Sequence, residues 1–592
     1  MFLNKTADKR FWKTEGEIIF LGEWCKLFSQ RSIWEKLSYE VLPYHWDNRK
    51  KVYEDYIYLD GLYERLLTQI ARVFNDIHRV NYSLRYWRII IGPWLYYFIG
   101  IVYDRYQSVE SASKSGKASS VLIDKNRHFQ WIPEDFTVFL KWYTEDGYND
   151  YIYSRIIEYT KKIKFDYVED VVNREKPYKK NNEKESFSFR KLLRNLVWFA
   201  GRLLPDRLKE IVFFTTSLNI IDAIKLQFSL KQFLYFITPE ITVHATNIDA
   251  EIRRKLSFDL SGNDFERFLG NFIGEQIPSL YLENYSHMNR HALKKYPQKP
   301  RIIFTDNAFF SDEGFKFWAA YYVEKGVKLL GTQHGGLYGA AMWYGDEAHE
   351  TAICDRYYTW GWESDIYNHT KPMAAIKLQN IKTKQDSICP KKDGNILVVL
   401  ANSPRYYYHM YSIPYAASGV LRYFQYQYDF CKSLPKGLQK SLLVRLFVHD
   451  YGWSQRDRWT LECPEVKCYD GNKSIIEQLK ECRLCVVTYN ATTVLETLTL
   501  NFPTILFWDP EQWEIRSSAR TYYEKLHSAG ILHYTPESAA AKVSEICNDP
   551  VAWWTKKEVQ EAKDQFCYQF ARISDNWMDE WKYELLGVAQ SQ

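Results

Sequence analysis

The sequence predicts an α/β protein of two doubly wound parallel-sheet domains facing a cleft, with a large helical insertion in the N-terminal half. Three observations carry that expectation. Beyond Phe187, short apolar runs alternate with longer amphipathic ones, the pattern of strands and helices wound into a parallel sheet. A polar stretch at 377–394, KLQNIKTKQDSICPKKDG, lacks periodicity, contains Pro and Gly, and divides the alternation into two series as a linker would. From about Trp46 to Tyr106 helical periodicity dominates, unbroken until Gly92-Pro93. The expected boundaries are 1–385 for the first domain, its insertion at about 46–200, and 386–592 for the second with its terminal helices.

The elements follow in order. A polar lead precedes a short buried strand at Glu17–Leu21, which the turn Gly22-Glu23-Trp24 leaves. Ile89 to Val102 is a 14-residue uncharged run, interrupted by Gly-Pro and flanked by Arg88, Asp104 and Arg105. It is too short to span a bilayer and predicts a buried helix. The polar stretch 171–187 reads as an exposed insertion. Strands are then predicted in EIVFFTT (210–216), EITVHAT (240–246), RIIFTDN (301–307), VKLLGTQHGG (327–336) and RYYTWGW (356–362). SDEGFKFWAAYYVEKG opens on a Ser/Asp cap and closes on Gly, as a helix should, with Glu313 read as a capping acid. The second series is NILVVLAN (395–402), LLVRLFVHD (442–450), CRLCVVTYN (482–490) and PTILFWD (503–509), before a Trp-rich helical stretch from about Trp553 to Leu586.

Composition narrows the function classes. At 592 residues the chain exceeds one core, and 46% apolar residues exclude wholesale disorder. The net charge is +5, without the concentrated basic stripe of a nucleic-acid binder, so no nucleic-acid partner is expected. The lead MFLNKTADKRFW has neither the apolar core nor the cleavage site of a secretory leader, and ten scattered Cys fit a reducing compartment. Both predict a cytoplasmic protein. Cys463, Cys468, Cys482 and Cys485 are loosely zinc-spaced, yet the last two enter an apolar strand whose alternation separates them, so no metal site is predicted.

The residues that can carry chemistry lie at predicted strand ends. In CVVTYNATTVLETLTLNFPTI a strand ends at Tyr489-Asn490, a polar turn passes Thr492 and Thr493, and a helix begins with Glu496 one turn inside. Unpaired amides at a helix N-terminus suit a phosphate, and an acid beside them suits the two hydroxyls of a ribose. Ser403 and Arg405 follow the strand NILVVLAN, and Arg445 and His449 belong to LLVRLFVHD. An Arg there can neutralise a phosphate, and the aromatic residues beside it can stack on a base. No GxGxxG and no Walker A sequence is present, which disfavours dinucleotide redox and P-loop chemistry. In the first domain GTQHGGLYG delivers Gln333 and His334 into a turn at Gly335, where His can act as a base or as a cation beside a leaving phosphate. Asp306 at the end of RIIFTDN, or Glu23, can serve as base in an inverting reaction or nucleophile in a retaining one.

Together these pieces resemble a family of bacterial surface-polysaccharide transferases from lipopolysaccharide O-antigen loci, in the GT-B glycosyltransferase superfamily. FLGEWC, RYWRIIIGPW with YDRY, GTQHGG, RYYTWGW, RLFVHDYGW and TYNATTVLETLTLNFPTI carry the resemblance over residues 17–510. It implies two Rossmann-type domains and a sugar moved from a nucleotide donor, for which a CMP-linked ulosonic acid is one expectation, to a glycan or lipid-linked glycan acceptor. It also implies peripheral contact with the inner membrane. Tyr489, Asn490, Thr492, Thr493 and Glu496 would hold the donor, and Gln333 and His334 would face the reacting sugar. No cofactor is expected: GT-B enzymes generally need no metal, and no DxD stands at a strand end. The alternatives are a CDP-polyol phosphotransferase of teichoic-acid type and a non-catalytic scaffold for envelope assembly.

Overall fold

The structure is a computed structural model describing residues 1–125, 131–168, 205–233, 247–260, 262–364, 366–471 and 473–590. Runs of two to six residues, most of them apolar, form three sheets, each wholly parallel. The first holds β1 (Phe2–Asn4), β2 (Ile18–Phe20), β3 (Tyr39–Val41), β4 (Ser120–Asp124) and β5 (Lys164–Val168), in the order β3-β2-β1-β4-β5. The second holds β6 (Ile211–Phe214), β7 (Ile302–Thr305), β8 (Lys328–Thr332), β9 (Arg356–Thr359) and β10 (Thr370–Pro372), ordered β10-β9-β8-β7-β6. The third holds β11 (Asn395–Val399), β12 (Leu442–Arg445), β13 (Lys467–Tyr469), β14 (Cys482–Val487), β15 (Thr504–Phe507) and β16 (Leu532–His533), ordered β13-β12-β11-β14-β15-β16.

The α/β class and the eight expected strands from EIVFFTT to PTILFWD, EITVHAT apart, match these elements. The expected strand at 240–246, the polar stretch at 171–187 and the part of the insertion beyond 168 lie outside the described residues. The first sheet corrects the reading of the N-terminus. Phe2–Asn4, taken as polar lead, is its central strand and is fully buried. A three-residue strand is too short to display the period by which strands are recognised.

The helical insertion interrupts this first sheet. Between β3 and β4 run helices Arg49–His78 and Leu84–Lys114. The second buries Ile89 to Val102 in protein, with Tyr96 half-buried, packing on the helix Glu313–Glu324 as well as on its partner. Among the described residues no helix is long and apolar enough to cross a membrane. Its charged end is matched internally: Arg105 pairs with Asp104 at 2.7 Å and donates to Asn149 Oδ1 and the Tyr407 carbonyl. A buried charge needs such partners, because one left alone costs several kcal/mol.

Two further expectations change. Glu313 does not cap its helix; Asp312 does, accepting from the Phe315 amide, while Glu313 is buried against Tyr281 and Lys316. The stretch read as a linker holds a helix, Ile376–Lys382, whose buried Ile376, Leu378 and Ile381 face the core and which packs on the helix Thr492–Thr499. Seven residues are too few to reveal a helical period. The last helix, Trp577–Gln590, returns to the second sheet, where Trp581 packs on Phe304 and Tyr358.

Candidate active site

Register places the chemistry. Phe214 pairs with Thr305, Thr305 with Gly331, and Thr332 with Tyr358, so β6, β7, β8 and β9 finish level. Asp306 and His334 therefore emerge at one edge. Asp306 is buried and accepts from Ser217 Oγ at 2.6 Å. Burial raises its pKa, against that hydrogen bond and the charges of His334 and Lys377. Gln333 is fully engaged inside the protein: its Oε1 accepts from the Trp360 amide and Trp362 Nε1, and its Nε2 donates to the Gly335 carbonyl. It shapes the loop that carries His334. The imidazole Nε2 lies 2.9 Å from Glu350 Oε1 and 2.8 Å from Tyr338 Oη. Burial alone would push the His334 pKa down, but the charge of Glu350 and the bond to it, with Asp306 and Asp346, hold it above the ordinary value.

In the third sheet the strand order reverses between β11 and β14. Ligands of doubly wound sheets bind in the crevice at such a reversal, outside the carboxyl ends of the strands. Val399 pairs with Val487, so the residues after both strands diverge from one level. A cavity of about 190 Å³ opens there, lined by Asn402 and Ser403 after β11, Phe447 and Tyr451 after β12, and Tyr489 and Ala491 after β14. Tyr408, Tyr411, Tyr423 and Trp513 complete an aromatic wall, and Leu337 closes it from the second sheet. Flat amphipathic rings of this kind suit a nucleobase or a sugar.

The two sheets meet at the cavity's edge. The Gly336 amide donates to Thr492 Oγ1 at 2.8 Å, and a Cβ on Gly336 would fall 2.4 Å from the Ala491 carbonyl carbon. Only glycine permits that approach. Ala491 is the N-cap of helix Thr492–Thr499 and offers no side-chain bond to its first turn. Amides left uncapped beside a cavity favour an anion.

A second line of charge crosses the same interface. Lys377 lies 3.8 Å from Glu496 and its charge also acts on Asp306. Burial raises the Glu496 pKa while Lys377 and Arg445 oppose it. The structure thus brings together His334, Asp306, Gly335, Thr492 and Glu496, with Ser403 and Tyr489 in the adjoining cavity. Thr493 is bonded to the Tyr489 hydroxyl at 2.6 Å, and exposed His449 lies beside the rings of the cavity residues Phe447 and Tyr451.

The other expected residues are placed differently. Arg405 is buried, pairs with Asp146 at 2.8 Å and donates to the Trp24 carbonyl, so its charge is matched within the protein. Arg445 donates to the carbonyls of Lys473 and Gly471 and to Gln478, and reaches the site only through its charge on Glu496. Asn490 is buried and accepts from the Tyr523 hydroxyl at 2.9 Å. Glu23 pairs with Lys26 at 2.9 Å and its charge acts on Arg458; among the described residues no bond joins it to His334. Each of these is held by its own neighbours, and strand-end position alone did not reveal that.

The model of the LIC12162 family transferases matches residues 1–585. The chain belongs to that family. This transferase matches no curated protein by sequence. Among solved structures it is similar to WaaG, a glycosyltransferase involved in lipopolysaccharide biosynthesis, at 14% identity and a TM-score of 0.25 over 54% of this chain and 83% of that one.

Sequence reasoning missed Glu350, Tyr338, Lys377 and most of the cavity wall in this transferase. Lys377 was hidden by the linker reading. The run RYYYHMY, read as aromatic residues that can stack on a base without any one being singled out, supplies Tyr408 and Tyr411 to the cavity. Glu350 had no visible signal, since a carboxylate on a helix reads as solvent-facing and this one is completely buried.

Proposed function

We propose that the chain is a glycosyltransferase that binds a nucleotide sugar across the interface of the second and third sheets. The base or nucleoside occupies the aromatic cavity, the phosphate meets the uncapped amides at Ala491–Thr493, and the sugar lies toward His334 and Asp306. One observation carries this reading: an aromatic cavity at a strand-order reversal ends on an uncapped helix against which the His334-bearing loop packs. The arrangement offers oriented amides and an imidazole to the charge that develops on a leaving phosphate, the stabilisation a transferase needs most. Asp306, whose raised pKa keeps it a workable proton acceptor, serves the acceptor hydroxyl.

The resemblance to O-antigen-locus transferases supports a lipid-linked surface glycan as acceptor, work at the cytoplasmic face of the inner membrane, and a CMP-linked ulosonic acid as one donor. The test is a thermal-shift and calorimetry series with CMP, CDP, UDP and GDP. A matching nucleotide at 100 times its Kd should stabilise the fold by roughly 2.7 kcal/mol. No stabilisation by any of the four would sink the donor reading. His334→Ala should keep nucleotide affinity within a few-fold and lower turnover by roughly 100-fold, the loss expected when a group acts mainly in the transition state.

A further inference from the structure

The pair His334–Glu350 sits behind the site, and its geometry fixes more than a contact. Glu350 is on the helix Gly345–Ile353 and is completely buried. Its Oε1 is 2.9 Å from His334 Nε2 and accepts from the Tyr338 hydroxyl at 3.0 Å; its Oε2 accepts from the Tyr357 hydroxyl at 2.6 Å. Burial raises the Glu350 pKa, against the charge of His334 and the bonds from His334 and Tyr357. Both its oxygens accept from tyrosine hydroxyls, and beside the imidazolium it accepts again, so the hydrogen of the imidazole lies on Nε2. Among the described residues Nδ1 makes no hydrogen bond, and the side chain is 24% exposed. Tyr338 Oη, 2.8 Å from Nε2, prevents the ring from turning over without breaking two bonds.

We infer that Glu350 is a positioning residue that pins His334 through Nε2, so that Nδ1 is the proton-carrying atom presented to the leaving phosphate. This rests on the donor reading above. The bond from the anomeric carbon to the phosphate oxygen breaks with its electron pair on that oxygen, and the Nδ1 proton moves to it. The acceptor hydroxyl oxygen forms the new bond to the anomeric carbon and gives up its proton, which returns through Asp306 and water to Nδ1. The charged and titratable groups facing His334 are Glu350 and Asp346 from the 345–353 helix, Asp306 after β7, Tyr338 in its own loop and Tyr357 on β9. The three carboxylates favour the imidazolium, and Glu350 is the only one bonded to the ring. The gain in basicity parallels metal-bound histidines, whose second nitrogen is oriented by a carboxylate in the same way.

The test is Glu350→Gln in the full chain, read by imidazole ¹⁵N resonances after histidine labelling, with His334→Ala assigning the signal. The intact protein should show the Nε2–H tautomer. The variant should titrate at least one pH unit lower and mix tautomers, with nucleotide Kd within two-fold because Glu350 does not line the cavity. The basic limb of kcat should move down in pH by the same amount. An unchanged His334 titration and an unmoved limb overturn the inference. If Glu350→Gln does not fold, Tyr357→Phe and Tyr338→Phe loosen the same carboxylate and should give smaller shifts in the same direction; no shift in either overturns it as well. A His334 titration that depends on Glu350 in a protein that binds no nucleotide supports the pinning and removes the donor reading.

Discussion

Gly336 donates its amide to Thr492 Oγ1 at 2.8 Å, across 156 residues of sequence, and so joins the second sheet's glycine turn to the third sheet's uncapped helix. The contact depends on the missing side chain. A methyl group at 336 would sit 2.4 Å from the Ala491 carbonyl carbon and 2.5 Å from the Thr492 nitrogen, both backbone atoms that cannot swing aside. Gly336→Ala should therefore push the turn off the helix. The expected result is a stability loss of about 1–3 kcal/mol in urea unfolding and nucleotide affinity at least ten-fold weaker by calorimetry. Unchanged affinity would mean that the turn is not part of the donor site.

The aromatic wall makes a separate prediction. Tyr451 is half-buried and lines the cavity, so its removal should cost the fold little. Ring pairing contributes about 0.5–1.5 kcal/mol beyond burial, so Tyr451→Ala should weaken nucleotide binding roughly three- to ten-fold. Thermal stability without ligand should change little. Equal binding by both proteins would move the base elsewhere.

Lys377 acts on two carboxylates at once. Its charge lowers the pKa of Asp306 and of Glu496, each of which burial raises. Lys377→Met should let both rise further. Because activity on this reading needs ionised Asp306, the acid limb of the kcat profile should shift to higher pH, while activity well above the limb falls less. A limb that stays in place would show that neither carboxylate ionises in the limiting step.

His349 gives a stability prediction with a defined sign. It is buried, and among the described residues neither ring nitrogen has a hydrogen-bond partner. Burial, helped by Arg88 and Lys316 and opposed by Asp346, pushes its pKa from 6.5 down to about 3. Between those values the unfolded chain binds the proton and the native chain does not, so stability falls as pH drops through that window. The loss should approach roughly 3 kcal/mol by pH 4. His349→Leu should flatten the dependence of urea-unfolding stability between pH 6.5 and 4; an unaltered slope would locate the acid sensitivity in other groups, such as His78, which burial also lowers, to about 4.

Much of the fold was legible because its strands and helices are local. Runs such as RIIFTDN and CRLCVVTYN are long enough to state their period, and the chemistry of a strand end can be read from the residues that follow it. That sufficed for parallel sheets in two series, for the burial of Ile89–Val102, and for naming His334, Asp306, Thr492 and Glu496 as residues of interest. It did not suffice for the first sheet, which went unseen apart from one member: β1 and β3 have three residues each, and the five-residue β5 buries none of its own. It also could not tell a strand-end Arg facing a ligand from one such as Arg405, matched by Asp146 at 259 positions' distance. Tertiary structure alone decided which groups share a site. Glu350 behind His334, Lys377 between two carboxylates, and the cavity wall of Tyr408, Tyr451 and Trp513 are meetings of side chains from separate elements. No periodicity records such meetings; they are set when burial of apolar faces fixes strand order and register, and the polar groups at the strand ends are carried into contact with them.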